Sequence, residues 1–432
     1  LSVIGFSWRD SHAIPDTQWF QEVQMTLVHA FRRFSLVFLI LAGSRFTSPL
    51  IAAEFDPEKL DQLRGMIQKY VDNKTIAGAT VAIGSREGIV AAEAVGSLNL
   101  EQKLSMPVDA VFRIASMTKP ITAMAIMMLV DEGKLSVDDP VEKHLAEFKG
   151  QMIIDSKEGD KITLRKPSRP IQIRDLLTHT SGLPGGFPEG ISDLYFRRHL
   201  TLGEAVAISS QRPLEFEPGS KWAYCNAGID ALGRIVEVVS GVSFEEFLEQ
   251  RIFFPLGMFD TTFYPNDEQL QRLAALYEVK DGELRPTGFQ LIGPTKTAKH
   301  PIPAGGLFST LQDLGHLYRM ILTRGAVGEL RLLSEKSVAE MTRIQIGDMD
   351  GGFTPGTSMG FGWQVVRKPT GVHAMMSLGT IGHGGAFGTQ GWIDPAQDLF
   401  VILLIQRSGI PNADASDMRR DLQQVAVDAL VR

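Results

Sequence analysis

Strand-like apolar runs stand near both ends of this chain, and the stretch between them reads as helix and loop. Near the start, Gly78-Ala-Thr-Val-Ala-Ile-Gly84 and Gly88-Ile-Val-Ala-Ala-Glu-Ala-Val-Gly96 are separated by Ser85-Arg-Glu87, the pattern of an antiparallel hairpin. Near the end, residues 387–393 and 399–406 flank the turn Asp394-Pro-Ala-Gln397 and make a second hairpin. A third early run, 111–114, reads as another strand. The order of strands, helices, then strands again predicts an α+β fold. Its antiparallel sheet is built from both chain ends and flanked by helices, with a mainly helical subdomain inserted at about 141–300. A cleft between the two parts is the natural place for a site.

The helices follow from caps and spacing. Asp56 caps a stretch at 57–73 whose Leu60, Leu63, Met66, Ile67 and Tyr70 form one apolar stripe. Further helices are expected at 171–177, at 228–240, at 244–252, at 308–322 with Ser309 or Thr310 as cap, and at 413–431. A long apolar run, 121–130, marks a buried helix that continues to about Gly133. Pro120 removes a donor near its start, so an irregular or 3₁₀ first turn is expected there.

The 432 residues carry 43 Lys plus Arg against 50 Asp plus Glu, a formal net charge of -7. That balance gives no basic footprint for nucleic acid. The single cysteine, Cys225, excludes an intrachain disulfide and a cysteine zinc cluster. From Met25 the pattern changes: Arg32 and Arg33 precede an apolar run at 34–42, with Ala42 and Ser44 as a small-x-small site. This is the pattern of a secretory signal. The run is too short to span a bilayer. Residues 1–53 are therefore expected to be a disordered or non-native extension plus a leader (25–53). The mature catalytic domain is then expected at 54–432, secreted or periplasmic, or cytoplasmic if the signal does not function, with no stable membrane span.

Chemistry enters at Phe112-Arg-Ile-Ala-Ser-Met-Thr-Lys-Pro-Ile-Thr122. Ser116 and Lys119 are three apart, on one face of a helix. They bring a hydroxyl and an amine together at the mouth of a buried helix. S-x-x-K alone is common, and an N-capping serine beside a surface lysine is the ordinary reading. Lys119 could act as a base only if neutral, through burial or nearby positive charge. Trp222-Ala-Tyr-Cys-Asn-Ala-Gly228 adds Tyr224, a candidate acid and base if its tyrosinate is held between cations, and Asn226, which could hydrogen-bond Lys119 and a substrate carbonyl. Ile381-Gly-His-Gly-Gly-Ala-Phe-Gly388 adds a glycine-rich approach whose backbone N–H, with that of Ser116, could form an oxyanion hole.

In this order, S-x-x-K, Y-x-N and H-G-G, the chain resembles the serine β-lactamase-related hydrolases: class C β-lactamases, serine DD-peptidases and family VIII carboxylesterases. The resemblance covers roughly 57–432. It is supported by Leu176-Leu-Thr-His-Thr-Ser-Gly-Leu-Pro184, Glu217-Pro-Gly219 and Ala304-Gly-Gly-Leu-Phe-Ser-Thr310. It implies a β-lactamase/DD-peptidase-like fold. Ser116 would be the acylated nucleophile, Lys119 its partner, Tyr224 the general base and acid, and Asn226 a positioning residue. His383-Gly384-Gly385 takes the place of the family's K-T-G, and Ala386 N–H would be the second oxyanion donor. No metal or cofactor is implied. The histidine is the departure. A lysine there suits a substrate carboxylate, whereas histidine is mostly neutral at pH 7. The expectation is thus a carboxylesterase acting on small uncharged esters, closest to family VIII. The alternatives are a β-lactamase or DD-peptidase and, from another class, a non-catalytic penicillin-binding-like module.

Other residues carry weaker readings. A G-x-S-x-G stands at Gly356-Thr-Ser-Met-Gly360, in a glycine-rich stretch, and by itself does not support an α/β-hydrolase elbow. A Ser-His-Asp role for His383 ranks below the Lys119 and Tyr224 reading. His179 reads as a structural hydrogen-bonding residue and Cys225 as a buried spectator thiol. His300, His316 and His373 show no metal spacing. Trp363, Trp392 and Phe187 read equally as an acyl pocket or as core.

Overall fold

The computed structural model describes residues 52–186, 198–287, 293 and 298–431. The expected leader, apart from its last two residues, lies outside the described residues, as does Phe187. Eight strands form one sheet: β1 (Gly78–Ser85), β2 (Gly88–Asn99), β3 (Leu104–Ser105), β4 (Thr357–Met359), β5 (Gln364–Val366), β6 (Ile381–Gly384), β7 (Gln390–Asp394) and β8 (Leu399–Ile405). Their order is β4-β5-β6-β7-β8-β1-β2-β3, and every neighbouring pair is antiparallel. The two chain ends meet where β8 pairs with β1, with Ala79 opposite Ile405 and Gly84 opposite Phe400. The sheet shared by both chain ends, expected from the sequence, is the observed one.

β8 is buried along its whole length because the sheet is covered on both faces. Phe400, Ile402 and Leu404 join one apolar cluster, while Val401, Leu403 and Ile405 join another. Burying each such side chain contributes about 1.5–3 kcal/mol. The second cluster takes Leu63 and Ile67 of α1 (Gln62–Asp72). The first takes α2 (Thr118–Asp131), α3 (Asn226–Ser240) and α4 (Leu311–Leu322). The C-terminal helix α5 (Asp417–Asp428) packs beside α1 through Met418 and Leu422.

Caps explain the helix starts. Asp56 accepts from the Glu58 amide at 3.0 Å, but the expected 57–73 helix is interrupted after Leu60 and resumes at Gln62. Thr310, one of the two candidate caps, accepts from the Asp313 amide at 3.3 Å. The helix expected at 413–431 begins at Asp417, capped by Ser416, because Asn412 is left-handed and 413–415 form a 3₁₀ turn.

Other expectations are corrected. The run 111–114 contributes only Phe112–Arg113, which pairs with Phe308–Ser309 outside the large sheet. Residues 387–389 turn before β7 begins, held by Gly385 N–H donating to Thr389 O at 2.8 Å. The stretch 244–252 is α-helical to Leu248 and then widens into a π turn. Between 141 and 300, the described helices are joined by two hairpins, Ile153–Glu158 with Lys161–Arg165 and Tyr277–Lys280 with Glu283–Pro286. The second turns on Asp281-Gly282, both at positive φ, a hairpin signal present in the sequence but overlooked. No described helix is long and apolar enough to cross a membrane.

Candidate active site

The site begins with α2. Every residue from Thr118 to Leu129 is buried. A helix apolar around its circumference must be enclosed, and its second residue, Lys119, is enclosed with it at 0% exposure. Ser116 lies just ahead, in the 3₁₀ turn Ala115–Met117, as the early Pro120 led us to expect. Ala115 stands at φ +46°, a left-handed conformation that costs a non-glycine residue about 1 kcal/mol. Several hydrogen bonds hold it there. Thr118 Oγ1 donates to Ala115 O at 2.7 Å, Thr389 Oγ1 donates to Ile114 O at 3.2 Å, and Ile114 N–H donates to Leu307 O at 3.0 Å.

Ser116 Oγ lies 2.7 Å from Tyr224 Oη and 3.1 Å from Lys119 Nζ. Two of the segments picked out in the sequence, S-x-x-K and Y-x-N, therefore converge on one hydroxyl. Lys119 also donates to Ala304 O. That carbonyl is delivered by a clamp between two helices: Thr122 Oγ1 on α2 donates to Pro303 O at 2.7 Å, and Asp230 on α3 accepts from Ala304 N–H at 3.0 Å. A Cβ on Gly233 would sit 2.3 Å from the Pro303 ring, so this glycine lets α3 approach.

Burial sets the protonation states. Desolvation lowers the Lys119 pKa to about 7, against the opposing pull of the Asp230 charge. Burial pushes the Tyr224 hydroxyl up, well above its usual range. The neighbouring amine is readily neutral, whereas Tyr224 rests as a phenol and not as a tyrosinate held between cations. The Lys119 amine nitrogen lies 4.7 Å from the Tyr224 ring centroid. His179 and His383 are both neutral, pushed far down by burial, His383 to about 3.

His179 is the structural residue it was expected to be. Its Nδ1 accepts from Cys225 N–H at 3.2 Å, and its carbonyl accepts from Ala223 N–H at 2.9 Å, which pins the segment bearing Tyr224. Cys225 is buried, its thiol pKa pushed up to about 11. Asn226 is the first residue of α3. Among the described residues it makes no hydrogen bond to Lys119, whose amine is already engaged with Ser116 and Ala304.

β6 and the residue after it bring His383, Gly384 and Gly385 against the turn that carries Ser116. A Cβ on Gly385 would lie 2.5 Å from Ile114 O, so only glycine allows this approach. His383 Nδ1 lies 2.7 Å from Gly384 O and must donate to it, since a carbonyl only accepts. The other ring nitrogen is then the acceptor. It is buried without a partner among the described residues. Ala386 follows as the exposed corner of the turn.

One side chain at the site escaped sequence reasoning. Phe353 packs edge-on to Tyr224 at 4.9 Å, to Trp222 at 5.7 Å and to His383 at 6.1 Å, forming an aromatic wall that remains 37% exposed. It sits in the glycine-rich stretch Asp350-Gly-Gly-Phe-Thr-Pro-Gly356, which gave no periodic signal. Trp363 and Trp392, by contrast, are core. Both are fully buried, Trp363 beside Tyr318 and Trp392 beneath Arg419. His373 and His316 bond to Thr354 and Gln312 respectively, at 2.9 Å each.

Comparison with known proteins gives the family and the fold. The Beta-lactamase family matches residues 63–426. Protein Rv1367c of Mycobacterium tuberculosis is 33% identical over 374 residues, covering 83% of this chain and 92% of its own. Among solved structures, EstCE1, described as a hydrolase with promiscuous acyltransferase activity, superposes with a TM-score of 0.72 at 26% identity, over 86% of this chain and 97% of its own. A penicillin-binding protein homologue from Pyrococcus abyssi superposes with a TM-score of 0.61 at 28% identity, over 83% and 75% respectively. The chain belongs to the Beta-lactamase family, with the fold of its serine hydrolases.

Proposed function

We propose that this Beta-lactamase family member is a serine carboxylesterase that cleaves small, uncharged esters through an acyl-enzyme on Ser116. The observation that carries the reading is the Ser116 hydroxyl set 3.1 Å from an amine whose pKa is lowered to about 7 and 2.7 Å from a phenol. In the proposed path, neutral Lys119 takes the Ser116 proton as Oγ attacks the ester carbonyl. The backbone N–H groups of Ser116 and Ala386 stabilise the oxyanion. The Tyr224 hydroxyl relays a proton to the departing alcohol. Water then attacks the acyl-enzyme by the same route in reverse, releasing the acid and restoring Ser116. Neutral His383 stands where a lysine would attract a carboxylate, which favours esters over lactams. EstCE1, named a hydrolase, supports this reading, and the penicillin-binding protein homologue keeps a lactam or peptide substrate as the second reading. The leader pattern at Met25 extends the proposal to a secreted or periplasmic site of action.

Turnover of a short-chain p-nitrophenyl ester, set against a chromogenic cephalosporin, tests the choice. Faster ester turnover that disappears in Ser116→Ala is expected. Full esterase activity in Ser116→Ala would end the proposal, and faster cephalosporin turnover would transfer it to the second reading. A native protein that is not labelled by a fluorophosphonate would point to a binding module.

A further inference from the structure

Gly384 has a neighbour that the reaction described above does not use. A Cβ built on it would lie 2.2 Å from Asp414 Oδ1 and 2.4 Å from Gln390 Nε2. The space that a side chain at 384 would occupy is therefore already filled by a carboxylate. It arrives from the other end of the chain, on the 3₁₀ turn between Asn412 and α5.

This carboxylate is firmly placed. Gln390 Nε2 donates to Asp414 Oδ1 at 3.2 Å and to Ala413 O at 3.3 Å, while Gln390 Oε1 accepts from Trp392 Nε1 at 2.9 Å. Arg419 donates to the Asp414 backbone carbonyl, fixing the turn. Among the described residues the Asp414 side chain forms no ion pair; burial raises its pKa, against the opposing pull of the Gln390 hydrogen bond and the nearby Arg419 charge. Burial is the main reason Tyr224 resists ionisation, and the Asp414 carboxylate adds to it.

We infer that Asp414 is a specificity-determining residue: its carboxylate fills the position beside His383 and Gly384 where a substrate anion would dock, and it turns away substrates that carry a carboxylate close to the scissile bond. The inference rests on the ester reading and deepens it. Two changes then work in one direction. Lysine's positive charge is absent at 383, and a negative charge stands beside 384. A like charge held in a poorly solvated cleft repels far more than one in water.

The experiment reads ratios of kcat/KM within matched pairs. On the alcohol side, 4-carbamoylphenyl acetate is paired with 4-carboxyphenyl acetate, and on the acyl side 4-nitrophenyl butyrate with 4-nitrophenyl hemisuccinate. The native enzyme is expected to favour the neutral member of at least one pair by about tenfold or more, and Asp414→Asn to reduce that preference about tenfold. Asp414→Ala, which removes the charge without the amide, should do the same. Preferences that are absent in the native enzyme, or unchanged in both variants, overturn the inference. If no ester is turned over, the ester reading fails separately, and the position is then read by intact mass as the rate at which a cephalosporin, itself a carboxylate, acylates Ser116. About tenfold faster acylation in Asp414→Asn sustains the inference, and an unchanged rate removes it.

Discussion

Lys119 and Arg419 are both buried cations, at 0% and 1% exposure, and the protein uses them for opposite ends. Desolvation presses on both. A lysine answers by giving up its proton, whereas a guanidinium holds its charge and must be accommodated. Arg419 is accommodated thoroughly. Its plane lies 3.6 Å over the Trp392 ring, its Nη2 is 2.9 Å from the neutral His373 Nδ1, and its Nη1 bonds the Asp414 carbonyl. It ties α5 to β7. Among the described residues Lys119 meets Ala304 O, the Ser116 hydroxyl and, 4.7 Å away, the Tyr224 ring. The same burial leaves the guanidinium charged and lets the amine become neutral, and the intrinsic basicity of the two groups separates the outcomes.

The largest test of this contrast is Lys119→Ala. Ester turnover should fall about a thousandfold, within the usual range for a lost general base, while fluorescence-monitored unfolding shows a fold retained. Tyr224→Phe should lower kcat about a hundredfold, with little change in KM if the phenol acts on the leaving group. Arg419→Leu should show the reverse pattern. Loss of its charged hydrogen bonds and its aromatic stacking should cost about 3 kcal/mol in urea unfolding, with acylation of Ser116 still detectable in the folded fraction. If Arg419→Leu lost acylation and kept its stability, the division of labour would be wrong.

A pH series sharpens the same point. The folded pKa of Lys119, about 7, lies below its ordinary value of 10.5. Between those values the unfolded chain binds the extra proton, so this residue's contribution to stability rises with pH across that window. Below about pH 7 both states are protonated and the full desolvation cost is present. Lys119→Met should flatten that slope, and the native kcat/KM for a neutral ester should climb with a midpoint near 7. The smallest effect belongs to Ala115→Gly, which relieves the left-handed φ of +46° and should change stability by no more than about 1 kcal/mol.

Much of the site was legible because its parts are local. S-x-x-K, Y-x-N and H-G-G each fix a backbone shape over a few residues, and all three meet at the turn that carries Ser116. The shared sheet was legible for a similar reason: strands such as β8 are buried along their length and read as apolar runs. What the sequence hid was tertiary. Nothing near Asp414 announces that it will lie against Gly384, and nothing in a glycine-rich loop marks Phe353 as a wall of the site. The charge states were hidden as well, since they follow from how deeply α2 is enclosed. The short strands β4 and β5 carry too few residues to show a period.

The pairing of β8 with β1 has a consequence in time. A ribosome finishes the nucleophile segment in the first third of the chain, yet β6, β7 and β8 emerge only near the end. Until then β1 has a bare edge and Ser116 has no glycine-rich strand beside it. Contacts between such distant parts of a chain form slowly and leave partly made protein prone to aggregation. A chain that stops short of its last strands therefore carries Ser116 without the glycine-rich strand that stands beside it.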